Sequence, residues 1–506
     1  MNSLSFVKGQ GGLGRPLAGS DYISAYLHYS ATLPSGFSSG DRIKAVYSLQ
    51  QAVDLGITNT SLGETKSTAT YLVTNKGAVG DTFKITCATI NGTVTLANYT
   101  QVTADVATVD TSAARLAAEI NILTPSHGFT ATVSTATVTI AATPGQGLFL
   151  NTGTPYVVTI VGTIAGTLTQ NVVVGVPSEI DIMYYHVSEF FRMQPKGKLW
   201  IGIYAAADVG TFSNITDIQN YATGEIRQIG VYYKSTAFSS AHITTIQAIC
   251  TSLATNKKPL SVLLQAEVSG TADITTLANM RLLSAPNVSV LIGQDGAGAG
   301  YKVYKATGKS IGMVGTTLGA VALARVSDAI NWYAKFDANN GIEFDTLAFA
   351  NGQLYTAISD SALSALDSYG WIFLRKEIGL SGSYWNDSHT CIALTNDYAY
   401  IEAVRTIDKA IRDLRTTVTP ALGSPLVVNP TDGTISEDVI GYFEGLCQQA
   451  LDGMLNNTEL SGYNVIIDPS QDVLSTSTLT IAVELLPVGV ARTIVINIGY
   501  VVNLTN

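Results

Sequence analysis

Residues 199–204 read Leu-Trp-Ile-Gly-Ile-Tyr, a short apolar run typical of a buried β-strand. An apolar-periodic helix over residues 179–193 precedes this run. Further strand and helix candidates alternate after it, over residues 226–233, 241–255, 261–268, 288–292, 360–368 and 371–374. Such alternation favours a mostly parallel, mixed sheet with helices on both faces. The sequence therefore predicts an α/β core over residues 177–383.

A first part of the same core is predicted over residues 21–60, where residues 41–46 and the helix-like residues 48–55 lie. Residues 61–176 differ: they are rich in Thr, Val, Ala and Gly, and they alternate with a two-residue period. No Asp, Glu, Lys or Arg occurs from Ile120 to Ser178. We interpret residues 61–176 as an inserted, Thr-rich β-sandwich with one helix.

Composition limits the function classes. The 506 residues suffice for several domains. A formal net charge of -10 argues against a protein that coats nucleic acid. Charged residues make up only 13% of the chain, so neighbouring subunits are expected to cover part of its surface. Neither a signal peptide nor an apolar membrane span is apparent, and we expect no membrane binding.

Enzyme motifs are weak. Residues 36–40 match G-x-S-x-G, but a Pro-Ser turn signal precedes them instead of a strand. Residues 308–310 read Gly-Lys-Ser, yet Val303 stands where a phosphate loop needs glycine. Asp387, His389 and Cys391 crowd one segment without evidence of an aligned nucleophile and base. The histidines and cysteines show no metal-ligand spacing. We expect no catalytic residue, cofactor site or metal site.

The densest charge lies on a predicted helix over residues 398–418, followed by a second helix over residues 436–455 and strand candidates near residues 465–468 and 478–485. These elements predict an α+β C-terminal domain over residues 384–490. Helical spacing places Arg405, Lys409 and Arg412 on one face, with Arg415 nearby. We predict that the four contact another subunit or a partner; a solvated face paired with Asp408 and Asp413 is the alternative.

The chain then continues into a C-terminal arm, residues 491–506. The predicted strand within this arm consists of Thr493, Ile494, Val495, Ile496, Asn497, Ile498, Gly499, Tyr500, Val501 and Val502. It contains no charged residue, although soluble proteins usually protect exposed strands with charge or proline. Two outcomes remain open: the strand completes a sheet of its own subunit, or it is exchanged into a sheet of another copy.

The C-terminal half contains several distinctive motifs: Tyr384-Trp385-Asn386-Asp387, the run from Asn396 to Arg412, and the segments at residues 425–428, 433–436, 462–468, 487–489 and 492–494. In this order they resemble the C-terminal region of contractile phage tail sheath proteins. Residues 310–312, with Leu318-Gly319 and the stretch from Ala322 to Trp332, also resemble the glycine-containing helix in the α/β core of that family. The resemblance is strongest from Ile311 onward and weakest in the insertion.

The resemblance implies a subunit that polymerises as a six-start helical sleeve of hexameric rings around a tail tube and contracts to drive the tube through a cell envelope. It implies partners in the tube, the baseplate and the tail terminator, a tube-proximal C-terminal domain and an outward-facing insertion. An N-terminal arm over residues 1–20, including Phe6, Val7, Lys8 and Gly9, would pair with a neighbouring copy as the C-terminal arm does. The subunit would belong to a virion tail assembled in the host bacterial cytoplasm.

Two other classes stay open on sequence grounds. A surface-array or adhesive β-rich protein would explain the Thr-rich segment, but predicts an export signal and repeated sandwiches. An α/β enzyme would explain the alternating core, but predicts convergent ionisable residues. Whether the chain belongs to a phage, a phage-like bacteriocin or another injection machine stays open.

Overall fold

A computed structural model describes residues 19–500. They form two compact units: residues 19–323 with 330–399, and residues 324–329 with 400–500. Phe6, Val7, Lys8 and Gly9 of the predicted N-terminal arm lie outside the described residues, as do Val501 and Val502.

The first unit contains nine helices and eighteen strands among its described residues. Up to the end of the insertion these are β1 (Ser24–Tyr29), β2 (Ile43–Val46), α1 (Leu49–Asp54), β3 (Thr68–Asn75), β4 (Thr82–Thr89), β5 (Gly92–Thr100), α2 (Val109–Ile122), α3 (Thr124–His127), β6 (Thr130–Ser134), β7 (Thr137–Ala141), β8 (Tyr156–Val161) and β9 (Ala165–Val173). After it come α4 (Glu179–Met193), β10 (Leu199–Tyr204), α5 (Asn214–Tyr221), β11 (Gln228–Tyr232), α6 (Ser240–Thr255), β12 (Ser261–Gln265), β13 (Val288–Leu291), β14 (Gly293–Asp295), α7 (Ala299–Thr307), α8 (Val314–Leu323), β15 (Leu347–Phe349), α9 (Asp360–Ser368), β16 (Trp371–Ile372), β17 (Leu374–Arg375) and β18 (Tyr384–Trp385).

The core of the first unit is a seven-stranded sheet in the order β16-β13-β12-β11-β1-β10-β2. Every neighbouring pair is parallel except β10 and β2, which are antiparallel. The predicted mixed α/β class is therefore confirmed.

Helices cover both faces of this sheet. Ile229 and Val231 of β11 pack in one apolar cluster with Ile218 of α5 and Ile246 of α6. The intervening Gly230 faces the other side, where a Cβ atom would lie 2.8 Å from Val314 of α8. Side chains alternate across a strand, so α8 and the pair α5 and α6 lie on opposite faces.

Helix α8 packs directly against α4 through small residues. A Cβ atom on Gly315 would lie 2.2 Å from the carbonyl oxygen of His186, and one on Gly319 would lie 2.7 Å from that of Phe190. Only glycine permits two helix backbones to approach so closely. This contact explains Gly319, which lies in the motif that begins at Leu318.

The insertion consists of two antiparallel sheets, ordered β6-β7-β3-β9 and β5-β4-β8. Buried residues of both sheets form one cluster with Leu116 and Ile120 of α2. The chain enters and leaves through a pair of hydrogen bonds, from the Thr65 amide to the Val176 oxygen (3.0 Å) and from the Val176 amide to the Thr65 oxygen (2.9 Å). The insertion thus has its own core and adjacent ends.

The second unit contains α10 (Ile401–Val418), α11 (Glu437–Asn456), β19 (Leu460–Ile466), α12 (Val473–Thr476) and β20 (Ala482–Pro487). Its largest buried cluster joins Ala410, Leu451, Met454 and Leu460 with a few neighbours. The unit begins at Tyr400, whereas the sequence placed the C-terminal domain from residue 384. Residues 384–399 belong to the first unit because β18 pairs with β17 and Cys391 bridges Ala285.

Candidate assembly site

Helix α10 carries the four predicted contact residues, but they differ in environment. Arg405 is buried, and its guanidinium donates hydrogen bonds to the carbonyl oxygens of Arg325 (3.2 Å) and Ala324 (3.3 Å). These bonds tie α10 to the short segment 324–329 within the second unit. In the single subunit, Arg405 therefore stabilises the packing of α10 against residues 324–329.

Lys409 forms an ion pair inside the same unit. Its Nζ atom lies 2.8 Å from Oε1 of Glu459, and the two side chains are 16% and 6% exposed. Glu459 directly precedes β19, so the pair connects α10 with the hairpin of β19 and β20. Arg412 and Arg415, one and two turns further along α10, are half-buried. The prediction that these residues contact another subunit or partner remains a prediction.

Residues 493–500 form no strand in the described chain, and all eight are exposed. Ile494, Val495 and Ile496 are each at least 75% exposed, and Ile498 is 91% exposed. No sheet within residues 19–500 includes this segment, so it does not complete a sheet of its own subunit there. We call residues 493–500 the terminal segment.

The hairpin of β19 and β20 is the sheet that lies closest in sequence to the terminal segment. Its antiparallel register pairs Tyr463 with Leu485 and Val465 with Val483. Within the described residues the sheet has only these two strands, so neither outer edge pairs with a third. Two-stranded sheets are marginally stable by themselves and gain from an additional strand or a packed helix. Helix α11 supplies the packed helix here.

The residues that hold the base of the terminal segment were not predicted as site residues. Arg492 forms an ion pair with Glu402, and its guanidinium carbon lies 3.4 Å from the centroid of the Tyr400 ring. One signal was present in the sequence, an arginine directly before a long uncharged run. It could not reveal the partners, which lie about 90 residues earlier at the start of α10.

The enzyme motifs occupy structural positions. Gly308 follows the end of α7 in a left-handed conformation (φ 62°), so Gly-Lys-Ser closes a helix, whereas a phosphate loop opens one. His389 Nε2 lies 2.9 Å from Oδ1 of Asp367. Burial raises the pKa of the Cys391 thiol to about 12, which disfavours a thiolate nucleophile.

Within residues 19–500, no group of three or more His, Cys, Asp or Glu side chains is arranged to hold a metal ion. The helices of this part of the chain are also too short or too polar to cross a bilayer.

The solved structures to which this chain is similar include three sheath proteins. The helical sheath of the anti-feeding prophage in its contracted state is 16% identical, with a TM-score of 0.44 over 62% of this chain and 81% of that chain. The contracted sheath complex of PVC, an extracellular contractile injection system, is 14% identical, with a TM-score of 0.42 over 64% and 81%. The sheath tail protein Lin1278 from Listeria innocua is 10% identical, with a TM-score of 0.38 over 94% and 96%.

A search of the curated proteins found no match. Family models match nearly the whole chain: the DUF2586 N-terminal domain matches residues 1–389, and the DUF2586 C-terminal domain matches residues 397–505. The gap between the two matches ends close to Tyr400, where the second structural unit begins. The chain belongs to the DUF2586 family.

Proposed function

We propose that this protein is the structural subunit of a contractile tail sheath, which polymerises as a helical sleeve around a tail tube and contracts to drive the tube through a target cell envelope. The observation that carries the proposal is the terminal segment, which is apolar, uncharged and exposed in its own subunit. The resemblance of residues 384–412 to contractile sheath proteins supports this kind of polymer.

An exposed apolar segment lowers its free energy by pairing with a free sheet edge of another molecule. The two outer edges of the β19 and β20 hairpin are of this kind within the described chain. A segment donated by one copy and accepted by the next makes a head-to-tail contact, and such contacts propagate into rings or helices. The exposure of residues 493–500 supports assembly by exchange of the predicted strand, residues 493–502.

The finer parts of the proposal come from the resemblance. The sleeve is six-start and built of hexameric rings, its partners are the tail tube, baseplate and terminator proteins, and it lies in a virion tail assembled in the host bacterial cytoplasm. The C-terminal unit faces the tube, and the insertion faces outward. In the assembled sleeve the tube or inter-subunit contact residues are Arg405, Lys409, Arg412 and Arg415. Contraction releases free energy that is stored as a difference between two arrangements of the subunit interfaces. In this proposal the protein is not an enzyme.

Negative-stain microscopy of the purified protein tests the proposal. The full chain is expected to form tubes, and both a chain ending at Arg492 and the double variant Ile496→Asp/Ile498→Asp are expected to remain small particles. Leu474→Asp is the matched control, because Leu474 is an exposed apolar residue of the same unit outside the terminal segment. Tubes of normal length from the shortened chain would refute the proposal.

A further inference from the structure

The chain is held at one residue immediately before the terminal segment begins. The guanidinium of Arg492 forms an ion pair with the carboxylate of Glu402 and stacks on the ring of Tyr400. Glu402 lies in the first turn of α10, and Tyr400 is the residue that caps this helix. All three residues belong to the second unit. The contact therefore fastens the end of the chain to the start of a helix.

Several features make this contact firm. The Glu402 side chain is 9% exposed, and that of Arg492 is 25% exposed. A planar guanidinium can donate to a carboxylate and stack on an aromatic ring at the same time, which a lysine ammonium cannot reproduce. Moving Arg492 away would leave the buried Glu402 carboxylate without this cation, which is unfavourable.

Residues 491–500 are all exposed, and within this stretch the guanidinium of Arg492 is held by Glu402 and Tyr400. Before Arg492, β20 ends at Pro487, and residues 488–492 connect the two points. The terminal segment therefore begins directly after a residue whose side chain is tied to the second unit.

We propose that Arg492 is a positioning residue for subunit exchange: it is the pivot from which the terminal segment leaves its own subunit. This inference rests on the proposed function. Fully extended, residues 493–500 span about 26 Å. If the pivot were lost, residues 488–492 would join the free segment and add about 16 Å of reach. The pivot therefore limits how far apart two linked subunits can lie.

Spin labels test the pivot in unassembled subunits. One label is placed at Val490→Cys and another at Ile498→Cys, in a chain that carries Ile496→Asp to prevent polymerisation. The four native cysteines are buried, so the labels react at the introduced sites. We expect position 490 to be immobilised and position 498 to be mobile. Arg492→Gln should mobilise position 490, and Arg492→Lys should give an intermediate spectrum.

The matched control is Arg325→Gln, which removes another arginine ion pair of the second unit, that with Asp328. It should leave both labels unchanged. An immobile label at position 490 in the Arg492→Gln variant would refute the pivot.

Microscopy of otherwise unaltered chains tests the consequence for assembly. Arg492→Gln is expected to give at least tenfold fewer tubes, or tubes with irregular subunit spacing, while Arg325→Gln behaves like the unaltered chain. Regular tubes at normal yield from Arg492→Gln would refute the positioning role even if the label moves. If the unaltered chain forms no tubes, the proposed function is refuted. The spin-label measurement then still tests whether Arg492 holds the chain before the terminal segment.

Discussion

At the scale of single residues, the Lys409 and Glu459 ion pair gives a direct test of what stabilises the second unit. Lys409→Met should lower the free energy of unfolding of this unit by about 3 kcal/mol, because the Glu459 carboxylate would stay buried without this cation. Hydrogen exchange of peptides from α10 and β19 measures the change. The double variant Lys409→Met/Glu459→Leu should recover most of the loss; an equally unstable double variant would contradict the explanation.

Two buried histidines of the first unit should make its stability depend on pH. Neither ring nitrogen of His186 has a hydrogen-bond partner among the described residues, and Tyr26, Tyr185 and Tyr232 surround the ring. Burial lowers the pKa of His186 well below 6.5, and the nearby His28 lowers it further. Burial also lowers the pKa of His28, although Glu179 opposes this shift and Lys234 adds to it.

Below pH 6.5 the unfolded chain therefore binds protons that the folded unit does not, so stability present above pH 6.5 is lost as the pH falls. One such histidine contributes a slope of about 1.4 kcal/mol per pH unit. His186→Phe should reduce the slope by that amount. Urea unfolding between pH 5 and 7.5, followed by tryptophan fluorescence, measures it, because all four tryptophans lie in the first unit. An unchanged slope would contradict the assignment to His186.

At the scale of elements, one aspartate connects two turns of the insertion. Oδ2 of Asp81 accepts hydrogen bonds from the amides of Ala78 (2.8 Å), Thr163 (2.8 Å) and Ile164 (2.9 Å). The Ala78 amide, together with those of Thr163 and Ile164, lowers the pKa of Asp81. Asp81→Ala should make the amides of residues 163 and 164 exchange roughly tenfold faster. Asp110→Ala, at an exposed helical position, serves as the control; equal exchange in both variants would argue against the connection.

Some helices and strands could be predicted from the sequence, and others could not. The helices over residues 179–193 and 360–368 and the strand over residues 199–204 were predicted with the bounds that the structure has. Strand β1, which lies between β11 and β10, was missed, because Ser24, Tyr26 and His28 interrupt its apolar pattern although all six of its residues are buried. Hydrogen bonds within the core satisfy part of these polar groups. The one between Tyr26 Oη and His28 Nδ1 (2.7 Å) is an example, and composition alone does not reveal it.

For the candidate site, sequence patterns predict which segments matter but not their contacts. The uncharged run from Thr493 onward is visible in the sequence, and its described residues are exposed in the structure. The charged face of α10 is also visible as a pattern, but the partner of each charged side chain is not. Arg405 and Lys409 have partners in the same unit that lie 80 and 50 residues away in sequence. Only the tertiary fold brings these partners into contact.

At the scale of the whole molecule, the insertion should be separable from assembly. Its own apolar cluster and its adjacent ends at Thr65 and Val176 allow residues 66–175 to be replaced by a short glycine linker. We expect the shortened chain to fold and to form tubes of reduced diameter, as measured by cryo-electron microscopy. Complete loss of helical assembly in a chain that folds normally would contradict an outward-facing, accessory insertion.

In the proposed polymer, each copy completes a sheet of the next with its C-terminal arm. A cryo-electron microscopy map of the polymer, at a resolution that separates strands, can show where this arm lies. We expect residues 493–502 to form a strand hydrogen-bonded to a sheet of a neighbouring copy, reached from Arg492. A polymer in which this segment is folded back onto its own subunit, or stays free of any sheet, would contradict it.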